Sequence, residues 1–184
     1  MSRIGKRPIK IPGNLAVSQI SEKGYVFKSS KGEANFNLPK NISGNIEGEE
    51  IILNRKSDSK ENRALHGLSA RLIRNLMFDL VNGTKKILQF TGTGFRAKVE
   101  NDKLILNMGF SHEIDVEIPK NIEVKVVKNQ IQIEGTDRAA VGQLAAKIRE
   151  VKPPEVYKGK GIKYQAEIIK KKAGKAAQTT IAKA

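Results

Sequence analysis

Lysine, tyrosine and glycine residues are concentrated near the C-terminus in a pattern that suits the binding of a polyanion. Residues 153–175 read PPEVYKGKGIKYQAEIIKKKAGK and carry seven lysines against two glutamates. Lysines at this density cannot all be buried, and Gly159 and Gly161 let the backbone approach whatever neutralises them. Tyr157 and Tyr164 lie within the run, and aromatic rings among cations suit nucleic acid, in which phosphates take the charge and bases or sugars contact the rings. A solvated, disordered basic tail is the alternative.

Residues that could support catalysis are few in this sequence. The two histidines, His66 and His112, form no spaced pair of metal ligands, and a lone histidine is more often a structural hydrogen-bonding residue. The run 92–94 lacks the third glycine of a nucleotide-binding turn, and a strand pattern follows it where such a site needs a helix. The chain has no cysteine, which excludes disulfides and thiolate metal sites. We expect no enzyme, no cofactor, no metal and no small-molecule substrate; an enzyme built around His112 is the weaker hypothesis.

The charge balance points to the same class of partner. Lys and Arg number 34 against 19 Asp and Glu, which gives a formal net charge of +15. Such a charge attracts polyanions, so RNA, DNA and anionic membranes are the candidates. No apolar run approaches the roughly 20 residues that span a bilayer, so we expect no membrane partner. The basic N-terminus is not followed by the apolar core of a signal peptide, and we therefore do not expect export.

A second basic element stands at the N-terminus. Pro8 and Pro12 keep this segment extended. The first acidic residue is Glu22, and the basic residues that precede it are Arg3, Lys6, Arg7 and Lys10. We therefore expect the N-terminus to contact the same kind of partner as the C-terminal run.

Hydrophobic periodicity predicts antiparallel strands and one helix in each half of the chain. In the first half, glycines at 24, 32, 44 and 48 mark turns between strands predicted at 15–20, 25–28, 34–38 and 50–54. Leucines at 65, 68, 72, 76 and 80 then recur at helical spacing, which places them on one stripe. In the second half, six strands are predicted at 85–90, 95–100, 103–107, 113–118, 122–127 and 130–134. A helical pattern follows them and is ended by Pro153 and Pro154.

The two halves share sequence as well as order. Leu38-Pro39-Lys40-Asn41-Ile42 recurs as Ile118-Pro119-Lys120-Asn121-Ile122, and in each half the next strand leads to a helix that begins near an aspartate. Agreement in both order and spacing favours internal duplication. We predict two similar α+β domains, 1–82 and 83–152, each an antiparallel sheet with one helix packed on one face. A basic extension, 153–184, follows them.

Four runs resemble a known family. Residues 154–162, PEVYKGKGI, resemble the signature of the ribosomal protein L6 family in its bacterial form. The opening MSRIGK, the run GTGFRA at 92–97 and the run LNMGFSH at 106–112 match other markers of the family in the right order. The resemblance covers essentially the whole chain. Departures are mild: Val156 and Ala166 replace the common proline and glycine, and Lys163 replaces a common arginine, so it keeps the charge but loses bidentate phosphate contact.

The resemblance implies a structural protein of the large ribosomal subunit that supports translation in the cytoplasm. Members of the family consist of two similar α+β domains and bind large-subunit ribosomal RNA near the sarcin-ricin loop and the base of the stalk, beside neighbouring ribosomal proteins. An architectural DNA- or RNA-binding protein outside the ribosome is the alternative. The expected RNA-contacting residues are Arg3, Lys6, Arg7, Tyr157, Lys158, Gly159, Lys160, Gly161, Lys163, Tyr164, Lys170, Lys171, Lys172 and Lys175. From Lys170 onward we expect an arm that becomes ordered only on RNA.

Overall fold

A computed structural model of the chain describes residues 4–21 and 24–173, which fall into two compact units. The first unit runs up to Gly83 and includes Thr136–Arg138, whereas the second comprises Thr84–Gly135 and the residues from Ala139 onward. In the described ranges both units combine antiparallel sheets with a helix, so the predicted α+β class is confirmed. No helix within those ranges is long and apolar enough to cross a membrane.

The first unit contains two antiparallel three-stranded sheets and a long helix. One sheet has the order β2-β3-β4 and the other β1-β6-β5. Phe27, Ile51 and Ile73 are fully buried where the sheets and the helix meet. The elements are β1 (Ile9–Lys10), β2 (Ala16–Ser21), β3 (Gly24–Ser29), β4 (Gly32–Asn37), β5 (Ile42–Glu47), β6 (Glu50–Arg55) and α1 (Lys60–Asn82).

The second unit follows the same plan and adds one strand. Its sheets have the orders β10-β9-β8 and β11-β12-β7-β13. Leu88, Ile131 and Ile148 are fully buried in its core. The elements are β7 (Thr84–Thr91), β8 (Arg96–Glu100), β9 (Lys103–Asn107), β10 (Ile114–Glu117), β11 (Ile122–Val127), β12 (Gln130–Gly135), α2 (Arg138–Val151) and β13 (Gly161–Tyr164).

The repeated pentapeptide occupies the same structural position in both units. In each copy the last isoleucine begins a strand, and its amide donates to the carbonyl of the proline three residues earlier at 3.0 Å. That strand then forms a hairpin, which pairs Ile42 with Arg55 in the first unit and Ile122 with Gly135 in the second. All of these positions differ by 80 residues between the units. A proline has no amide proton to donate to a strand ladder, and the chain turns at this proline before the next strand begins. Each unit therefore has two sheets, whereas the sequence predicted one.

Two features of the first unit differ from the sequence prediction. Gly44 was predicted to mark a turn but lies inside β5. A glycine stands there because Leu53 and the hydroxyl of Tyr25 fill the space that a side chain would need. The predicted leucine stripe coincides only in part with the buried face of α1: Leu80 is buried, and Leu65 and Leu76 are partly buried against the core. That face carries Ile73, Met77 and Leu80, whereas the side chains at 68 and 72 are 52% and 42% exposed.

Candidate nucleic-acid interface

The signature run is attached to the second unit by β13, the edge strand of the four-stranded sheet. Ile162 is fully buried in the core, and its amide donates to the carbonyl of Lys152 at 2.8 Å. The chain therefore leaves the end of α2, forms a loop and returns to its starting point. Gly161 sits at the point of return with φ +133°, where an added Cβ would lie 2.6 Å from the Pro153 carbonyl oxygen and 2.8 Å from Pro154 Cα. A glycine is required there by both backbone conformation and space.

The loop between these ends is a tight turn that presents its side chains to solvent. The Glu155 amide donates to the Lys160 carbonyl at 2.8 Å, and the Gly159 amide donates to the Glu155 carbonyl at 3.0 Å. Gly159 has φ +75°, which closes the turn. Tyr157 is 54% exposed, and Lys158 and Lys160 are exposed beside it. The Tyr157 ring is therefore accessible to a base or a sugar.

The chain that follows β13 folds back onto this loop. The Gln165 amide continues the ladder by donating to Ile87, and the Lys172 amide donates to the Val156 carbonyl, both at 3.0 Å. Lys171 Cε lies 3.3 Å from the position of a Cβ on Gly159. The Lys172 backbone bond therefore places residues 170–172 beside the loop, and the expectation that this arm becomes ordered only on RNA stays a prediction. We call Tyr157, Lys158, Lys160 and Lys170–Lys172 the basic surface.

An ion pair that the sequence did not reveal supports the returning chain. Arg149, in the last turn of α2, donates from Nε and Nη2 to the two carboxylate oxygens of Glu167 at 3.0 and 2.6 Å. The Tyr164 amide donates to the same carboxylate at 3.1 Å. The hydrogen bonds from Arg149 and from the Tyr164 amide hold the pKa of Glu167 below its ordinary value, and the same ion pair raises the pKa of Arg149. Glu167 stood out in the sequence only as a rare acid among lysines, and nothing marked Arg149.

Among the predicted contact residues, Gly161 is buried at the base of the loop, and the side chains of Lys163 and Tyr164 are less accessible than the lysines of the loop. Tyr164 is half-buried, packs against the core and lies under Arg149, whose guanidinium carbon is 5.9 Å from the ring centroid. Lys163 is half-buried next to Gln89 and projects from the face of the sheet opposite Ile162. Successive strand residues point to opposite faces. Lys163 therefore points away from the face that Ile162 buries, whereas Tyr164 lies on the same face as Ile162 and packs against the core.

The N-terminal basic residues belong to the first unit. Lys6 and Arg7 are exposed, and Arg74 of α1 donates to the Arg7 carbonyl at 3.1 Å. Gly5 lies so close to His66 that an added Cβ would be 2.6 Å from its Nδ1. Arg3 and Lys175, which were also predicted to contact RNA, lie outside the described residues.

The histidines have separate environments. His66 is buried, its Nε2 is 3.0 Å from the Leu53 carbonyl and its Nδ1 is 3.2 Å from Arg55 Nη1. Nε2 therefore donates and Nδ1 accepts, which is the structural role predicted for it. His112 is exposed, with Nδ1 3.4 Å from Ser111 Oγ. Within residues 4–21 and 24–173, no group of histidine and carboxylate side chains could hold a metal ion.

Comparison with known proteins gives one family. A family model described as Ribosomal protein L6 matches residues 91–165, which include the run 92–97 and the whole signature. The large ribosomal subunit protein uL6 of Moorella thermoacetica is 44% identical over 176 residues, which cover 95% of this chain and 96% of that protein. The uL6 proteins of Syntrophomonas wolfei and of a Sulfurovum species are each 45% identical over 177 residues, which cover 96% of this chain and 98% and 99% of those proteins. The similarity therefore extends over both units.

Proposed function

The chain belongs to the ribosomal protein L6 family, and from this premise we propose that it is a structural constituent of the large ribosomal subunit whose basic surface binds ribosomal RNA. The relatives are named as proteins of that subunit and match almost the full length of the chain. Membership also confirms the expectation that the chain is not an enzyme. Its place of action is the cytoplasm, within the large subunit.

The observation that carries the proposal is the joining of two separate lysine groups into one surface. The hydrogen bond from Lys172 to Val156 brings residues 170–172 beside the loop that carries Lys158 and Lys160. Lysine ammonium groups act there as point charges for phosphates, and the exposed Tyr157 ring contacts a base or a sugar. Lys6 and Arg7 provide a second contact from the first unit.

The proposed position of this contact is large-subunit RNA near the sarcin-ricin loop and the base of the stalk, with neighbouring large-subunit proteins as further partners. The support for this position is the match of residues 154–162 to the signature of the family. The competing function, an architectural protein for DNA or RNA outside the ribosome, would use the same surface without preference for that RNA.

Chemical footprinting tests the position. Large-subunit ribosomal RNA is probed with hydroxyl radicals in the presence and in the absence of the full-length protein. Duplex DNA is added as a competitor in roughly tenfold mass excess. We expect protection to centre on the sarcin-ricin loop region and to survive the competitor. Protection elsewhere in the RNA would contradict the proposed position, and complete loss to the DNA competitor would favour the architectural protein.

A further inference from the structure

We infer that Glu167, an acidic residue inside the most basic part of the chain, is a positioning residue for RNA binding. With Arg149 it holds residues 165–172, here called the return segment, in the conformation that places Lys170–Lys172 on the basic surface. The inference rests on the proposed function and deepens it, because it says how the lysines come to act together.

The contacts of Glu167 tie the return segment to two rigid elements. Its carboxylate accepts from Arg149 Nε at 3.0 Å and Nη2 at 2.6 Å, which connects it to α2. The same carboxylate accepts from the Tyr164 amide at 3.1 Å, which connects it to β13, and the Glu167 amide donates back to the Tyr164 carbonyl at 3.0 Å. One side chain therefore closes the turn after β13 and fixes it to the end of the helix.

The return segment has little apolar packing to replace these contacts. Ile168, directly after Glu167, is 91% exposed, and Ile169 is half-buried but does not belong to the core of the second unit. The next backbone contact along the segment is the bond from Lys172 to Val156. Polar contacts at the two ends, and not burial of a side chain in the core, therefore hold the lysines in place. Without the contact at Glu167, the segment would lose conformational entropy at the moment when RNA binds.

Charge alone and positioning predict opposite results for the removal of this acid. Glu167 lowers the positive charge of the surface, so its removal would strengthen the binding of a polyanion if only charge mattered. If the carboxylate positions the return segment, its removal weakens binding although the net charge rises. Glu155 offers a matched control: it is an exposed acid in the loop that carries Lys158 and Lys160, and the contacts described for it are those of its backbone.

The experiment measures binding of full-length protein to transcribed large-subunit ribosomal RNA over a series of KCl concentrations. We expect Glu155→Gln to bind as well as the unaltered chain or more tightly. Glu167→Gln adds the same charge, and we expect it to bind roughly tenfold more weakly, with a shallower dependence on salt because fewer lysines reach phosphates together. Equal or tighter binding by Glu167→Gln would overturn the inference.

A charge exchange separates positioning from a general effect on folding. The double variant Arg149→Glu with Glu167→Arg keeps the ion pair and the net charge but loses the acceptor for the Tyr164 amide. We therefore expect it to recover part of the affinity and of the salt dependence, whereas Arg149→Glu alone loses both. Failure of the exchange to recover either would count against positioning. If the unaltered chain itself binds this RNA no better than duplex DNA, the proposed function fails. If it binds well and the two glutamine variants behave alike, only the inference fails.

Discussion

The glycines of the signature differ in how strictly their positions require glycine. An alanine at Gly161 would meet backbone atoms of Lys152, Pro153 and Pro154 at 2.6–2.9 Å in addition to an unfavourable φ. An alanine at Gly159 would meet only the flexible end of Lys171. Strain of each kind costs on the order of 1–3 kcal/mol.

We therefore expect Gly161→Ala to lower the free energy of unfolding by about 3 kcal/mol and Gly159→Ala by about 1 kcal/mol. Urea unfolding followed by circular dichroism measures both. Gly142→Ala in α2 is the control, since nothing lies within 4 Å of its added Cβ, and we expect it to stabilise by about 0.5–1 kcal/mol. Equal effects at 159 and 161 would contradict the steric explanation.

We expect substitution of Tyr157 to weaken RNA binding and substitution of Tyr164 to lower stability. Tyr157 is 54% exposed, whereas Tyr164 packs against the core. We expect Tyr157→Ala to leave unfolding within about 0.5 kcal/mol of the unaltered chain and to cost about 1–3 kcal/mol of RNA affinity, since that is the range for a stacked base. Tyr157→Phe should keep most of the affinity. Tyr164→Ala should instead lower stability, and a stability loss at Tyr157 of the same size would contradict this division.

At the scale of elements, α1 shows that helical spacing alone does not identify the buried face. The leucines at 65, 68, 72 and 76 lie to one side of the buried stripe, which mixes His66 and Ser69 with Ile73 and Met77. The apolar side chains of α1 cover a wider sector of the helix than the sector that packs against the sheets. Polar residues that find buried partners, such as His66 with Leu53, escape any hydrophobic pattern.

We expect neighbouring residues of α1 to respond differently to substitution. Ile73→Ala should cost about 2–5 kcal/mol, as is usual for a fully buried aliphatic side chain. Leu72→Ala should cost less than about 1 kcal/mol, because 42% of this side chain is exposed. Chemical denaturation measures the free energy of unfolding of the two variants. A larger loss of stability for Leu72→Ala than for Ile73→Ala would mean that the predicted leucine stripe is the buried face after all.

Acidification should release the return segment. The pKa of Glu167 lies below its ordinary value of 4.5 because of the hydrogen bonds from Arg149 and from the Tyr164 amide, and the charge of Lys163 acts in the same direction. The stabilisation by the pair is therefore complete above pH 4.5 and is lost as the pH falls through the lower pKa of the folded chain. Amide chemical shifts of Tyr164 and Lys172 should report one transition below pH 4.5, and Glu167→Gln should lack it. A midpoint above 4.5 would contradict the lowered pKa.

The sequence predicted those strands whose hydrophobic pattern can be recognised within the strand itself. The strands 103–107 and 122–127 match the predicted ranges residue for residue, and in the second of them alternating apolar residues mark the buried face. β13 escaped notice because four residues rich in lysine and glycine give no such alternation, and Ile162 is buried only through pairing with β7. Likewise, the pairing of Arg149 with Glu167 spans 18 residues and depends on the path of the chain between them.

At the scale of the whole molecule, duplication explains the architecture, and the differences between the copies indicate the binding surface. Both units share the hairpin that follows the repeated pentapeptide. In the described residues, β13 and the basic surface are additions of the second unit. This places residues 161–164, predicted as part of an extension, within the sheet of that unit. Truncation at residue 152 would therefore remove Ile162 from the core, so substitutions test the surface more cleanly than a deletion.

Binding to RNA should depend steeply on salt. Each lysine that neutralises a phosphate contributes a slope of about −0.7 to −0.9 to the logarithm of affinity against the logarithm of salt concentration. We expect Lys158→Gln combined with Lys160→Gln to make the slope shallower by about 1.5, and Lys98→Gln combined with Lys125→Gln, on β8 and β11, to leave it unchanged. Equal slopes in the two double variants would show that position on the surface does not matter.

Sedimentation with large ribosomal subunits tests the assignment most directly. Subunits are reconstituted with one of three full-length chains: the unaltered chain, a variant with glutamine at 158, 160, 170, 171 and 172, or a control with glutamine at the exposed lysines 98, 103, 120, 125 and 147. The two variants have the same net charge. We predict that the unaltered chain and the control sediment with the large subunit and are released by high salt, whereas the first variant remains unbound. Sedimentation of that variant with the subunit to the same extent as the control would contradict a role for the basic surface in ribosome binding.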